Sequence, residues 1–385
     1  MLTCAHGEEI AATTAPIEGS GASPPLGVLT RTWQGGRVHA LEPLEAPVSP
    51  LAALRRIGFL LERARESSYK VEAYRKACAT LAKLSPDEVA SRAQRKALTE
   101  LPGIGRSTAT AVEQAVAGKL PTRLAELQDA AGPLVEGGEE LFAAIRGDLH
   151  MHSDWSDGGS PVEEMLVTAM EVGQTWTALT DHSPRLTVAN GLTAARLKKQ
   201  LALVDRLNER VDGRFRLLKG IEVDILDDGS LDQTDEMLDR LDVVTASVHS
   251  KLKMERAAMT RRMVNAVSNP RVDVLGHCTG RLVTGGRGTR PQSQFDARAV
   301  FEACAEHGTA VEINSRPERC DPPDELVELA LEIGCTFTID SDAHAPGQLE
   351  MKAYGAERAE RLGVPWDRIL TTWDVDDVLE WTGRA

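Results

Sequence analysis

The most informative segment for the fold is Gly147-Asp148-Leu149-His150-Met151-His152-Ser153-Asp154-Trp155-Ser156-Asp157-Gly158. It contains most of a predicted strand over 146–152, and residues two apart in a strand face the same side. His150 and His152 are therefore predicted to point in the same direction. A carboxylate, Asp157, follows five residues after the second histidine. This stretch thus predicts a buried strand whose end carries potential metal ligands.

The same pattern recurs through the C-terminal part of the chain. Seven apolar or β-branched segments are predicted as buried strands: 146–152, 175–182, 215–223, 243–249, 272–277, 309–314 and 336–342. Helical patterns lie between most of them, and alternating strands and helices predict a parallel sheet. Seven such units favour a closed barrel over an open sheet.

Nine potential metal ligands lie in or just after these strands: His150, His152, Asp157, His182, Glu222, His249, His277, Asp342 and His344. The C-terminal strand ends of a βα-barrel surround one mouth, so these side chains are predicted to converge there. Imidazole and carboxylate ligands suit Zn, Mn, Fe or Mg. Because a catalytic metal takes about three or four protein ligands, nine ligands with a bridging carboxylate predict two or three divalent ions. Such sites make hydroxide at neutral pH and promote in-line displacement at phosphorus.

Composition restricts the class of protein. The chain has 385 residues and 42% hydrophobic residues, which predicts a sizeable core and two or three domains. No apolar run is long enough to span a membrane, and the N-terminus lacks a secretory signal pattern. Six cysteines occur without a C-x-x-C pair, which is typical of reduced thiols. We therefore expect a cytoplasmic protein.

Changes in residue composition and in the spacing of apolar residues along the chain predict four regions. Residues 1–45 are rich in Gly, Ala, Pro, Ser and Thr and are predicted to be a disordered tail. Apolar residues at helical spacing predict an all-α domain over 46–123. Residues 124–146 are predicted as a linker, and 147–385 as the barrel domain.

The helical region differs in charge from the rest of the chain. Between Leu51 and Arg123 there are 14 Lys and Arg against 7 Asp and Glu, a balance of +7, whereas the whole chain carries −14. A basic module attached to an acidic one indicates contact with a polyanion. Within this module, Leu101-Pro102-Gly103-Ile104-Gly105 connects two predicted helices. Its glycines would let backbone N–H groups approach a phosphate at a helix N-terminus.

The strand-end motifs resemble the PHP (polymerase and histidinol phosphatase) superfamily, in particular the PHP domain of bacterial X-family DNA polymerases. The matching strings are 147–153, 155–158, 180–183, 247–250, 277 with 279–282, 312–314 and 341–344. The resemblance implies an α/β fold, a distorted (β/α)7 barrel with three divalent ions. It assigns the ligands in three sets: His150, His152, Glu222 and Asp342; Glu222, His249 and His277; and Asp157, His182 and His344.

The basic module resembles the N-terminal helix-hairpin-helix domain of the same polymerases, on Ala73-Tyr74-Arg75-Lys76-Ala77 and the 101–105 turn. The resemblance implies that this module binds DNA. The predicted DNA and phosphate contacts are Lys70, Arg75, Lys76, Gly103, Gly105 and Arg106. The polymerase domain is missing, since Pro121 and Gly147 leave no room for it, so we expect no nucleotidyl transfer.

The expected activity is a metal-dependent phosphodiesterase on DNA: a 3′–5′ exonuclease, an abasic-site endonuclease or a 3′-end-processing enzyme of DNA repair, associated with the nucleoid. Predicted catalytic residues are Asp157, His182, Glu222 and Arg281, and Lys251 and Arg316 are predicted phosphate contacts. A small-molecule phosphomonoesterase of histidinol-phosphatase type is the alternative. A third possibility is a catalytically inactive DNA-binding scaffold, which the complete ligand set disfavours.

Overall fold

The computed structural model describes residues 41–285 and 288–383. The predicted disordered tail therefore lies outside the described residues, apart from 41–45. In the described segment 41–45, the N–H of Leu44 donates to Gln128 Oε1 at 2.8 Å. Among the described residues, no helix combines the length and apolar character that a membrane crossing requires.

The N-terminal module is all-helical, as its apolar spacing predicts. It contains α1 (Pro50–Arg63), α2 (Ser68–Leu81), α3 (Pro86–Gln94), α4 (Arg106–Val116) and α5 (Thr122–Ala130), and α6 (Glu139–Ala144) leads into the barrel. α1 and α3 begin in the same way, with a serine that accepts a backbone N–H and a proline directly after it. Such caps satisfy N–H groups that have no intrahelical acceptor.

The described residues of the barrel domain form six parallel strands, which are hydrogen-bonded in sequence order. They are β1 (Trp176–Leu179), β2 (Arg216–Asp224), β3 (Val243–Ser247), β4 (Val274–Leu275), β5 (Ala310–Asn314) and β6 (Phe337–Asp340). The helices of this domain are α7 (Val162–Glu171), α8 (Ala194–Val211), α9 (Asp235–Leu238), α10 (Arg256–Val267), α11 (Ala297–His307), α12 (Asp324–Ile333), α13 (Lys352–Arg361) and α14 (Val375–Trp381). The predicted α/β barrel with a smaller helical domain is confirmed.

Residues 146–152, predicted as the first strand, lie between β6 and β1 without forming a regular ladder. The N–H of Ala178 donates to Asp148 O at 2.7 Å, and that of His152 donates to Ala343 O at 2.8 Å. Three other N–H groups donate to side-chain oxygens: Leu149 to Asp340, His150 to Asp148 and Met151 to Thr180. Because side chains replace backbone acceptors here, the barrel has six regular strands and one irregular segment.

The helical module and the barrel share one hydrophobic cluster. Leu54 and Ile57 of α1 belong to the same buried cluster as Met165 of α7 and Leu349. α1 also lies against the turn 346–351 that follows the last predicted metal ligand. The two modules are therefore packed together at the edge of the barrel mouth.

Candidate metal centre

The structure brings all nine predicted ligands together at the C-terminal end of the barrel. Within the described residues, four groups have ligand atoms within 4.8 Å of one another: His152, Asp157, His182 and His344; His150, His152 and Asp342; His150, Glu222 and His277; His182, Glu222 and His249. Several residues occur in two groups. The cluster can therefore hold more than one ion, although the number of ions stays a prediction.

Glu222 of β2 lies in the middle of the cluster. Its Oε1 atom is 2.8 Å from His277 Nε2 and 3.1 Å from His249 Nε2. Its Oε2 atom is 2.7 Å from His182 Nδ1 and 3.4 Å from His150 Nε2. Oε2 also lies 3.6 Å from His152 Nε2, so the two carboxylate oxygens face different sets of imidazoles. This is the arrangement expected of a carboxylate that bridges two metal ions.

The group His152, Asp157, His182 and His344 lies nearest to solvent, and we call it the outer metal position. Asp157 Oδ1 is 3.5 Å from His182 Nε2 and 3.4 Å from His344 Nε2. The Asp157 side chain is 36% exposed, whereas the Glu222 side chain is fully buried. A substrate would therefore approach the cluster from the side of the outer metal position.

Asp342 and His344 do not meet the other ligands through strand alternation, because β6 ends at Asp340. Asp342 instead has a φ of +48°, in the left-handed region. This turn places its Oδ1 atom 3.5 Å from His152 Nε2. A non-glycine residue in such a conformation costs about 1–3 kcal/mol and is common at functional sites. The surrounding contacts of the cluster hold the turn in place.

The protein atoms fit metal binding because many of them lack hydrogen bonds. Among the described residues, the buried side-chain atoms with no hydrogen-bond partner include both oxygens of Glu222 and ring nitrogens of five histidines: His150, His152, His182, His249 and His277. These atoms lie close together without hydrogen-bonding geometry. Unsatisfied buried polar atoms are rare in folded proteins, and an ion is a common explanation. The imidazole ligands suit Zn and Fe, and the carboxylate ligands suit Mn and Mg.

Charge within the cluster shifts the pKa values of its central groups. Burial alone would raise the pKa of Glu222, but the imidazoles of His249, His182 and His150 hold this pKa well below its usual range. Burial opposes protonation of His249, yet the Glu222 and Asp224 carboxylates raise its pKa to about 9. Metal binding at His249 must therefore displace a proton.

Three other ligands, His277, His152 and Asp342, are held in the protonation states that bind metals. Burial, helped by the positive charge of Arg319, lowers the pKa of His277 to about 3. Burial and the neighbouring imidazoles hold the pKa of His152 well below its usual value. Burial opposes ionisation of Asp342, but Arg316 and the other nearby cations keep its pKa well below the usual range. Neutral imidazoles and ionised carboxylates are the ligand forms that metals require.

Four residues around the cluster were not predicted as site residues: Asp224, Glu312, Asn314 and Arg319. Glu312 Oε1 lies 2.6 Å from His150 Nδ1, and Asp224 Oδ1 lies 3.3 Å from His249 Nδ1. Strand alternation could have found Asp224, since it lies two residues after Glu222 on the same strand. Arg319 Nε donates to Asp342 Oδ2 at 3.1 Å, and no motif indicated this.

Replacing Glu312 by Gln is expected to weaken metal binding about 10–100-fold, the usual effect of losing a partner that orients a metal-binding histidine. Gln keeps the size of the side chain but removes the charge beside His150 Nδ1. Competition with a fluorescent zinc chelator measures the affinity. Glu306→Gln, at an exposed position of α11, is the control. Equal affinities for the two variants would contradict the prediction.

The predicted phosphate contacts differ in their surroundings. Arg316 Nη1 lies 3.2 Å from His344 Nδ1 and 3.7 Å from Asp342 Oδ1, next to the cluster. Arg281 donates to the backbone oxygens of Arg319 and Cys320. Lys251 pairs with Asp227. Of the three, Arg316 alone is placed by these contacts beside a predicted metal ligand.

The predicted DNA contacts lie on α2 and at the start of α4. Lys70 pairs with Glu66 at 2.8 Å, and Lys76 pairs with Glu72 at 2.8 Å, both on exposed helix surface. Gly105 precedes α4, and Arg106 begins it. Gly103 has a φ of +82° and lies close to the Lys76 backbone. Arg75 differs from these residues because it is paired with buried Glu62 at 2.8 Å. These DNA contacts stay predictions.

Comparison with protein families agrees with this architecture. The helix-hairpin-helix domain family matches residues 49–119, and the PHP domain family matches residues 148–316. The chain therefore carries a helix-hairpin-helix domain followed by a PHP domain. These matches agree with the predicted class, a metal-dependent phosphoesterase and thus a hydrolase.

Three relatives illustrate the range of similar proteins. The chain is 39% identical over 234 residues to the DNA polymerase/3′-5′ exonuclease PolX of Bacillus subtilis (strain 168), a match that covers 61% of this chain and 40% of that protein. A probable phosphatase of Thermoanaerobacter sp. (strain X514) is 29% identical over 247 residues, 61% of this chain and 93% of the relative. The structure of histidinol phosphate phosphatase from Lactococcus lactis, with zinc, L-histidinol and phosphate, aligns with a TM-score of 0.43 at 16% identity. This alignment covers 57% of the present chain and 94% of the phosphatase chain. The chain thus spans less than half of the polymerase relative.

Proposed function

We propose that the protein is a DNA phosphodiesterase that acts as a 3′–5′ exonuclease, an abasic-site endonuclease or a 3′-end-processing enzyme, at the nucleoid. The observation that carries this proposal is the direct packing of the helix-hairpin-helix module beside the metal cluster. α1 lies against the turn that follows His344, where Gly347 N–H donates to Glu62 Oε2 at 2.8 Å. DNA held by the module would lie close to the barrel mouth.

The module offers a site for the DNA backbone at the start of α4. The first N–H groups of a helix have no intrahelical acceptor, and the helix dipole favours an anion there. A Cβ atom built on Gly105 would meet no atom within 4 Å, so the space in front of this helix end is open. A phosphate could approach the N–H groups of Arg106 and Ser107. Such contacts read no base sequence.

Around the metal ions, the protein supplies ligands and charge. Divalent ions held by the nine ligands would lower the pKa of a water molecule and offset charge on the phosphoryl oxygens. Burial would raise the pKa of Asp157, but the nearby imidazoles, His344 first among them, hold it below its usual value. Asp157 therefore stays ionised at the exposed edge. Arg316, which lies next to His344, would donate to a phosphoryl oxygen of the substrate.

The test compares 5′-labelled single-stranded, recessed-3′ and abasic-site DNA with histidinol phosphate, each with Mn²⁺. Gly105→Asp places a carboxylate where the phosphate would bind, yet Asp is a favourable residue before a helix. This variant is expected to lose about 10-fold or more in DNA affinity and in DNA cleavage at low DNA concentration, since a hydrogen bond to a charged group contributes about 1.5–3 kcal/mol. Gly132→Asp, with the same added charge in an open position, is the control.

Each result distinguishes the candidate functions. DNA cleavage that falls in Gly105→Asp but not in Gly132→Asp supports the proposal, and the product ladder separates trimming from nicking. Phosphate release from histidinol phosphate without DNA cleavage would favour the phosphomonoesterase alternative, which the similarity to a probable phosphatase supports. DNA binding without hydrolysis of either substrate would indicate an inactive scaffold. Point variants suit this test better than removal of the module, because α1 shares a hydrophobic cluster with the barrel.

A further inference from the structure

The helical module contacts the two segments that carry the outer ligands of the cluster. One is the loop 157–159, which begins at Asp157, and the other is the turn 344–347, which begins at His344. The two segments are joined by a hydrogen bond of 2.7 Å from Gly159 N to His344 O. A displacement of either segment would therefore move both ligands.

Glu62 of α1 connects the module to the turn 344–347. Its Oε2 atom accepts the N–H of Gly347 at 2.8 Å, and its side chain is 4% exposed. The backbones approach so closely that a Cβ atom built on Gly347 would lie 2.2 Å from Phe59 O. The position of the turn is thus set by α1.

Arg75 of α2 connects the module to the loop 157–159. Its Nε atom donates to Glu62 Oε1 at 2.8 Å. Its guanidinium covers Gly159, where an added Cβ atom would lie 1.6 Å from Arg75 Nη1. Glu62 therefore receives the Gly347 N–H on one oxygen and Arg75 on the other. This pair links both ligand-bearing segments to the helical module.

A neighbouring ion pair extends the contact to a third segment of the barrel mouth. Arg65, just after α1, pairs with Glu318 at 3.0 Å. Glu318 in turn lies 3.9 Å from Arg316, the arginine beside His344. The module thus contacts the loop of the proposed phosphate contact as well.

We propose that Glu62 and Arg75 are positioning residues for the outer metal position, so that its occupancy depends on the docked helical module. The inference rests on the proposed metal centre and needs no assumption about the substrate. Under this proposal, Arg75 acts at the interface between the two modules and does not serve as a DNA contact. Because coupling between two binding events is reciprocal, an ion at the outer metal position also stabilises the docked module.

The experiment measures bound metal in full-length Glu62→Gln and Arg75→Gln after reconstitution with Mn²⁺ and gel filtration. Arg55→Gln is the matched control, because Arg55 of α1 pairs with Glu164 of α7, another contact between modules, at 3.6 Å. Circular dichroism verifies folding. The wild type and the control are expected to retain the full ion content. Glu62→Gln and Arg75→Gln are expected to bind their weakest ion about 10–100-fold less tightly. This is the usual effect of losing a residue that supports a metal ligand.

The outcomes separate this inference from the proposed function. Loss of one ion in both variants, with the other ions retained, supports positioning. Wild-type ion content and affinity in folded Glu62→Gln or Arg75→Gln would overturn it, even if their free energy of unfolding fell. DNA cleavage plays no part in this measurement, so a wild type that binds metal but does not cut DNA would contradict the proposed function alone. A wild type without metal would contradict both.

Discussion

Glu222→Gln is expected to reduce hydrolysis of DNA and of small phosphate esters by more than about 100-fold. Even the loss of a residue that only orients a metal ligand reduces metal affinity or activity by about 10–100-fold. Glu222 places one oxygen beside His277 and His249 and the other beside His182 and His150. Gln has the same shape but cannot supply two anionic oxygens. At least one ion should therefore be lost, as measured by elemental analysis together with kcat/KM.

DNA affinity is expected to stay at the wild-type value in Glu222→Gln, because the proposed phosphate site at the start of α4 lies in the other module. Fluorescence anisotropy with a labelled duplex measures this affinity without turnover. Glu328→Gln, at an exposed position of α12, shows the effect of removing a carboxylate elsewhere. If hydrolysis survived in Glu222→Gln, the proposed role of Glu222 in the metal centre would be wrong. If DNA binding fell together with hydrolysis, the separation into a binding module and a metal module would be wrong.

The convergence of the predicted ligands could be expected from the sequence, because their chemistry and their place in the chain agree. His150 and His152 alternate in an extended segment, and Glu222 and His277 lie at strand ends, so barrel geometry alone brings them to one mouth. The irregular backbone of residues 146–152 was harder to predict. Whether a segment forms a regular strand depends on which acceptors its N–H groups find, and here Asp148, Asp340 and Thr180 side chains take that role.

Partners of charged residues could not be predicted in the same way. Arg75 belongs to a basic string and is predicted to contact DNA, and its pairing with Glu62 was not expected. The two residues lie on different helices, and their contact depends on how α1 and α2 pack. Charge counts describe the module as a whole, and they cannot separate an arginine that faces solvent from one that faces the barrel.

Lys352→Met is expected to reduce the free energy of unfolding by about 3–5 kcal/mol, the usual cost of removing one partner from a buried ion pair. The Lys352 ammonium is buried, and this burial lowers its pKa. It donates to Gly147 O at 2.9 Å and lies 3.6 Å from Asp148 Oδ2. Met has a similar length but no charge, so it would leave Asp148 as a buried carboxylate without its cation.

The effect should extend to the metal centre because Asp148 also organises the irregular segment that closes the barrel. Its Oδ1 atom accepts the N–H groups of His150 and Ser341, each at 3.2 Å. Urea denaturation of the metal-free protein measures stability apart from ion binding, and Lys199→Met, at an exposed position of α8, is the control. If Lys352→Met unfolded at the same urea concentration as the control, the buried pair would not hold the barrel closed. A loss of stability with unchanged metal affinity would mean that the segment around His150 is positioned by its hydrogen bonds to β1 and β6 alone.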